Sequence, residues 1–239
     1  QDPPPLPDRP EGVRGAREKP EQQLALSSGQ VVAERFRVDR YLGASTGVTN
    51  YQCRDLEGGD RVVLKLARDL QPDGEAVGQL RDRVRRASRI RHPELTSILG
   101  MGTTDDGQVY VATEYVEGRS LVRAVGEARE RGHSVTLAEV FDVIAHVGAA
   151  LSDVHESMAP GVLTPYNVYL RSDGRVKVAN LGLGAVLTNP QRGPGEAPLT
   201  ESIFVAPETA QGTEPHPSGD IYSLGMICAA LLREAHFPN

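Results

Sequence analysis

The stretch GVLTPYNVYLRSDGRVKVANLGLG, from Gly161 to Gly184, decides the reading of the whole chain. Val168 and Leu170 alternate with Tyr169 and Arg171 ahead of Ser172, Asp173 and Gly174; Val176 and Val178 flank Lys177 behind them. Apolar alternation on both sides of a turn-forming triplet predicts a β-hairpin. Asn167 opens this hairpin and Asn180 closes it. Both base positions are polar, as a binding site would require, yet neither carries the carboxylate that a divalent cation favours.

Working outward, the sequence is helical back to Gly118. LAEVFDVIAHVGAALSDVHES, 137–157, sets Leu137, Val140, Phe141, Ile144, Val147, Leu151 and Val154 on one expected stripe. SLVRAVGEARERG, 120–132, reads as a shorter helix. Ahead of these, FRVDRYLG, NYQCRD, RVVLKLA, LTSILGMGTT and QVYVATEYV are β-rich segments separated by Gly and Asp clusters. One helix, 75–92, is inserted after the third: Val77, Leu80, Val84, Ala87 and Ile90 recur at three- and four-residue steps, and Pro93 is its expected stop. Beyond the hairpin lie a Pro- and Gly-rich loop at 185–205, then Ala206, Pro207 and Glu208, then an apolar helix over 220–232. That last helix is apolar nearly all round and expects burial. Residues 1–28 carry Pro3, Pro4, Pro5, Pro7, Pro10 and Pro20 without any apolar period, so a disordered or extended tail or linker is expected there.

Composition narrows the class. The 239 residues are 39% hydrophobic and 24% charged, as in a globular chain with a core of useful size. A net charge of −6 gives no electrostatic reason to expect nucleic acid as a partner. No apolar run is long enough to span a membrane. Cys53 and Cys228 lie far apart among apolar neighbours and read as reduced core thiols, which suits a cytoplasmic protein. The six histidines show no metal-ligand spacing.

Eight motifs, in order, give the chain a resemblance to the bacterial eukaryotic-like (Hanks-type) Ser/Thr protein kinases from about Gly29 onward. AERFRVDRYLG resembles the opening strand, and VVLKL the third-strand motif with its lysine at Lys65. RHPEL follows the inserted helix; YVATEYVEGRSL resembles the fifth strand and hinge, with Thr113 as gatekeeper. LTPYNVYL resembles the catalytic-loop K-P-x-N stretch, VKVANLGLG the strand into D-F-G, and APE and SGDIYSLG complete the series. The resemblance implies an α+β, bilobal protein-kinase-like fold. A five-stranded antiparallel N-lobe with one helix is expected over 29–116. A mainly helical C-lobe over 117–239 breaks off soon after its central helix, so a fragment of a longer polypeptide is expected.

The same resemblance implies where phosphoryl-transfer groups should stand, and the residues there depart from the pattern. The D-F-G aspartate position is Asn180, a neutral and poor magnesium ligand. H-R-D falls on Pro160, Gly161 and Val162, and Val162 can accept no proton. Thr164 replaces the catalytic-loop lysine. The helix glutamate falls on Arg83, which would repel Lys65, with Glu75 the only upstream acid able to substitute. The glycine loop keeps Gly43 but has Ser45 and Val48 at its later glycine positions. The adenine slot is expected to be filled by Asn50 and Val63 above and Tyr169 below, with Tyr169 stacking the lobes together.

A catalytically inactive pseudokinase is therefore expected, without metal or cofactor, serving as a protein-binding, scaffolding or allosteric module. Lys65 and Asn167 are vestigial on this reading. The expected partners are proteins: an active kinase, a larger assembly, or an acidic or phosphorylated partner gripped by Arg81, Arg85, Arg86 and Arg89. Thr188, Thr200 and Ser202 lie where a kinase partner would act. Two alternatives stay open. One is a nucleotide-binding pseudokinase, or an enzyme with atypical transfer chemistry, that uses Lys65 and Asn167. The other is a structural subunit of a larger complex.

Overall fold

The computed structural model describes residues 26–235 apart from 46, 69, 71, 162, 181, 182 and 184–202. The sites expected at Val162, Thr188, Thr200 and Ser202, and most of the proline-rich tail, lie outside the described residues.

Strands β1 (Val31–Val32), β2 (Phe36–Ser45), β3 (Val48–Asp55) and β4 (Arg61–Ala67) precede helix α1 (Glu75–Ala87). Strands β5 (Ile98–Thr103) and β6 (Val109–Glu114) complete one antiparallel sheet in the order β1-β2-β3-β4-β6-β5. The sheet has six strands where five were expected. The extra one, β1, has two residues, too short for any period to show in sequence. It pairs with β2 through a turn in which Ala33 and Glu34 both adopt positive φ, +50° and +54°, which is the twist a tight hairpin favours.

Alternation along β4 divides the sheet's two faces. Val62, Leu64 and Leu66 are buried with Phe36, Val38, Tyr51 and Cys53. Ala67, two residues on from Lys65, packs in the other cluster with Val77, Leu80 and Val84 of α1. Period two thus aims Lys65 at the face that α1 covers. Helix α1 ends five residues before the expected His92. Ser88 Oγ donates to the Arg85 carbonyl and Arg91 Nη1 to the Ser88 carbonyl, so side chains take carbonyls that helix continuation would have used.

Past the hinge come β7 (Gly118–Ser120), α2 (Leu121–Glu130) and α3 (Leu137–His155). A capping box starts α3: Thr136 Oγ1 accepts from the Glu139 N–H, and Glu139 accepts from the Thr136 N–H. The hairpin forms as expected, β8 (Val168–Arg171) against β9 (Val176–Val178), with β7 on its other edge. Asp173 Oδ1 accepts from the Arg175 N–H at 3.1 Å, and Gly174 takes φ +80°, which explains the turn. Gly118 is needed for β7 to approach: a Cβ there would lie 2.6 Å from the Leu170 carbonyl oxygen. The chain continues to α4 (Pro207–Ala210) and α5 (Pro217–Glu234).

Two burial expectations are corrected. Phe141 is 65% exposed; the buried stripe of α3 runs through Val140, Val143, Val147, Ala150, Leu151 and Val154. Helix α5 is buried along Gly219, Asp220, Ser223, Ile227 and Leu231, while Ile221 and Tyr222 are exposed. One core nevertheless runs through both halves, joining α1, β5 and β6 to α3, β8, β9 and α5.

Candidate functional site

The hairpin base lies where the two halves meet. Backbone hydrogen bonds hold it there: Val178 N–H donates to the Glu94 carbonyl at 2.6 Å and Thr96 N–H to the Val178 carbonyl at 3.0 Å. Lys177 of β9 crosses to the end of β6. Its Nζ donates to both carboxylate oxygens of Glu114, at 2.7 and 2.9 Å, and to the Leu95 carbonyl at 3.1 Å. Glu114 also accepts from the Ser97 N–H. The Lys177 side chain is 13% exposed, so this is a largely desolvated ion pair with most polar atoms satisfied. Sequence reasoning missed it; only the alternation that turns Lys177 away from buried Val176 and Val178 hinted that it faces something else.

At the base itself, Asn180 Nδ2 donates to Asn167 Oδ1 at 3.0 Å. Asn180 has φ +66°, a left-handed conformation that asparagine and aspartate tolerate better than other residues with a Cβ. The residue here is thus a neutral amide on a backbone that Asn and Asp both tolerate. The two residues meet as donor and acceptor, whereas two oxygen ligands sharing a cation would both present lone pairs to it. This donor set does not fit a magnesium ion. One atom stays open: Asn180 Oδ1 is buried and has no hydrogen-bond partner among the described residues.

Lys65 stands directly across from Asn50 in the β3–β4 register. Its Nζ donates to Asn50 Oδ1 at 3.2 Å, and Asn50 Nδ2 donates to the Gly43 carbonyl at 3.4 Å. Asn50 therefore ties the ammonium to the strand that leads into the glycine loop. No carboxylate of a described residue pairs with Lys65, and burial lowers its pKa from 10.5 to about 8. Arg83 does not approach it as a partner. Arg83 is turned toward Glu214, at 3.8 Å, with a side chain only 13% exposed. Glu75, the expected substitute acid, is exposed and accepts from Gln79 on its own helix.

Around the expected adenine slot, Val63 is half-buried in register with Thr113, itself buried. Tyr169 is half-buried between Ser120 and Lys177 in the small sheet. Burial pushes its phenol pKa up, with Tyr115 of the hinge adding to the effect. The stacking expected of Tyr169 finds no aromatic ring partner among the described residues. Thr164 is buried and Val48 packs across from Ala67.

Gly161, at the position expected to match the H-R-D arginine, has a backbone and surroundings that exclude a side chain. It has φ +80°, and a Cβ there would fall 2.5 Å from Pro215 Cγ. Only glycine fits. Its N–H donates to Asp220 Oδ1 at 2.8 Å, while His155 Nε2 bonds Asp220 Oδ2 at 3.0 Å. Asp220 is fully buried; desolvation raises its pKa and these two partners oppose the rise. The surface arginines Arg81, Arg85, Arg86 and Arg89 are all exposed on or just beyond α1. Among the described residues, no three His, Cys, Asp or Glu side chains are grouped to hold a metal ion, and no helix is long and apolar enough to cross a membrane.

Strand order, hinge and hairpin define a protein-kinase-like fold. The protein kinase domain model matches residues 36–239, and the chain belongs to that family. It is 29% identical over 220 residues to the serine/threonine-protein kinase pkn3 of Myxococcus xanthus, covering 85% of this chain and 38% of that protein. It is 25% identical over 209 residues to PrkC of Bacillus subtilis, covering 85% and 31%. Less than half the length of these curated relatives is therefore spanned. The crystal structure of the Mycobacterium tuberculosis PknI kinase domain superposes with a TM-score of 0.70 at 23% identity, covering 90% of this chain and 78% of that one, a likeness of fold.

Proposed function

We propose that this chain is a catalytically inactive kinase-fold module, a pseudokinase, that works by binding proteins and transfers no phosphoryl group. The observation that carries the reading is the Asn180–Asn167 hydrogen bond, in which one amide donates to the other where a cation needs converging negative oxygens. Support comes from Lys65, whose bonded partner is the neutral Asn50, and from Arg83, which faces Glu214. The lobes of this module are 29–116 and 117–239, with residues 1–28 as its tail. Its partners are proteins, including an active kinase or an assembly, reached in part through Arg81, Arg85, Arg86 and Arg89. The unpaired thiols of Cys53 and Cys228 suit a cytoplasmic setting.

A thermal melt with and without ATP and Mg²⁺ tests this. A ligand at a hundred times its Kd stabilises the native state by about 2.7 kcal/mol, a shift of several degrees. The expected result is no magnesium-dependent shift at millimolar ATP. A clear shift overturns the nucleotide half of the reading, and radiolabel transfer from ATP to any acceptor overturns the rest.

One observation favours the nucleotide-binding alternative. Among the described residues, Asn180 Oδ1 is an orphaned buried acceptor beside Asn167, so a hydrogen-bond donor has one place to dock. The melt decides between the two. The structural-subunit reading differs in permanence, and size-exclusion chromatography reads it as an obligate oligomer.

A further inference from the structure

A cavity of about 450 Å³ opens between the end of α1 and the end of α3. Arg86 at the end of α1 and Arg89 and Arg91 just beyond it line one border; Asp153 at the end of α3 and Glu156 and Ser157 just beyond it line the other. Opposite charges bordering one small space ordinarily close on each other. Here they do not. Asp153 pairs with His92 at 3.5 Å, and Arg91 Nη1 donates to the carbonyls of Ser88 and Ile90 at 2.7 and 3.3 Å. The side chains of Arg86 and Arg89 bond to no described residue, and neither do those of Glu156 and Ser157.

The cavity thus holds positive charge at one border and negative charge at the other, with space between them. A simple anion would be repelled by the two carboxylates, and it would leave most of the volume empty. A dipolar occupant satisfies both borders. Two free guanidinium forks beside a third suit a dianion with three oxygens better than a single carboxylate, because each fork takes two oxygens in a charge-assisted pair. A phosphorylated side chain supplies that dianion. Asp153 and Glu156 then face whatever flanks it, and favour a lysine or arginine.

We propose that this cavity binds a phosphorylated serine or threonine of a partner peptide, with a basic residue close to the phosphate. The proposal rests on the protein-binding reading above and narrows it: Arg86 and Arg89 form the site, while Arg81 and Arg85 lie outside it. It makes no use of the nucleotide cleft.

The test is fluorescence anisotropy of the whole chain against a degenerate phosphothreonine peptide library, with and without a fixed neighbouring lysine. Saturable binding at least tenfold tighter than to the unphosphorylated library is expected, with a further gain from the lysine. Arg86→Ala with Arg89→Ala is expected to lose at least tenfold. Arg37→Ala, on exposed β2, should leave affinity unchanged. Asp153→Asn with Glu156→Gln should abolish the lysine preference and keep the phosphate dependence. All replaced arginines are exposed, and a circular dichroism melt checks that each variant folds. Equal affinity for both libraries, no saturable binding, or an equal loss in Arg81→Ala with Arg85→Ala overturns the proposal, the last by revealing a diffuse basic face. Binding of inorganic phosphate as tight as the peptide overturns the peptide assignment. Any of these failures leaves the ATP melt and the transfer assay standing as separate tests of inactivity.

Discussion

Asn50 sits directly across the β3–β4 ladder from Lys65 and accepts a hydrogen bond from its ammonium at 3.2 Å. A half-buried cation is thereby held by a neutral amide. No described carboxylate compensates its charge, and desolvation governs the lysine's titration.

The first prediction concerns pH. Folding lowers the Lys65 pKa from 10.5 to about 8. Between these values the unfolded chain binds a proton that the folded chain lacks, so stability rises with pH across that window. Below pH 8 the full cost of the buried charge persists. Lys65→Met is expected to stabilise the fold at pH 7 by on the order of 1–2 kcal/mol, with the advantage shrinking toward pH 10. Urea melts at several pH values measure it. Acylation of Lys65, followed by mass spectrometry, should show a midpoint near 8; a midpoint near 10.5 would place the ammonium in water.

The hairpin base gives a second. Asn180→Asp keeps the tolerated backbone but replaces the donated hydrogen bond with a carboxylate facing Asn167 Oδ1. A loss of about 1–2 kcal/mol at neutral pH is expected. Introducing this one acid is not expected to produce transfer, because residue 162 remains Val and residue 83 remains Arg. Radiolabelled ATP and a generic protein acceptor provide the readout, and incorporation in the variant would contradict the account.

Gly161 and Gly174 make a matched pair. Both have φ +80°, but a Cβ at Gly161 meets Pro215 whereas at Gly174 it meets nothing within 4 Å. Gly174→Ala should cost about 1 kcal/mol from backbone strain alone. Gly161→Ala should cost roughly 2–4 kcal/mol, strain and overlap together. Equal costs in denaturant melts would show that the Pro215 contact relaxes freely.

The Lys177–Glu114 pair supports a double-mutant cycle. Removing either partner leaves a largely buried charge alone, so Lys177→Met and Glu114→Gln should each cost about 2–4 kcal/mol. The double variant should cost less than the sum by at least about 1 kcal/mol. Strict additivity would mean that the pair contributes no coupling between the halves.

The strands and helices were legible because burial imposes a period. Alternation in RVVLKLA fixed β4 at Arg61–Ala67, and the Asp173–Gly174 chemistry fixed the hairpin turn. Boundaries decided by single hydrogen bonds were not legible: α1 stops where Ser88 and Arg91 capture carbonyls, and β1 is a two-residue strand set by a turn. Phe141 was misplaced because an apolar residue at a stripe's margin has the same spacing whether or not a neighbour covers it.

Residue identity alone determined the chemistry these positions can offer: Asn180 carries no charge, Arg83 a positive one, and Gly161 no side chain, in any conformation. What those residues do instead was decided by tertiary structure. Hydrogen bonds and ion pairs act over about 3–4 Å, while the partners that sequence keeps far apart are brought together only by packing. That is how Asn50 came to hold Lys65, Asn180 to hold Asn167, Lys177 to hold Glu114, and Pro215 to occupy the space beside Gly161.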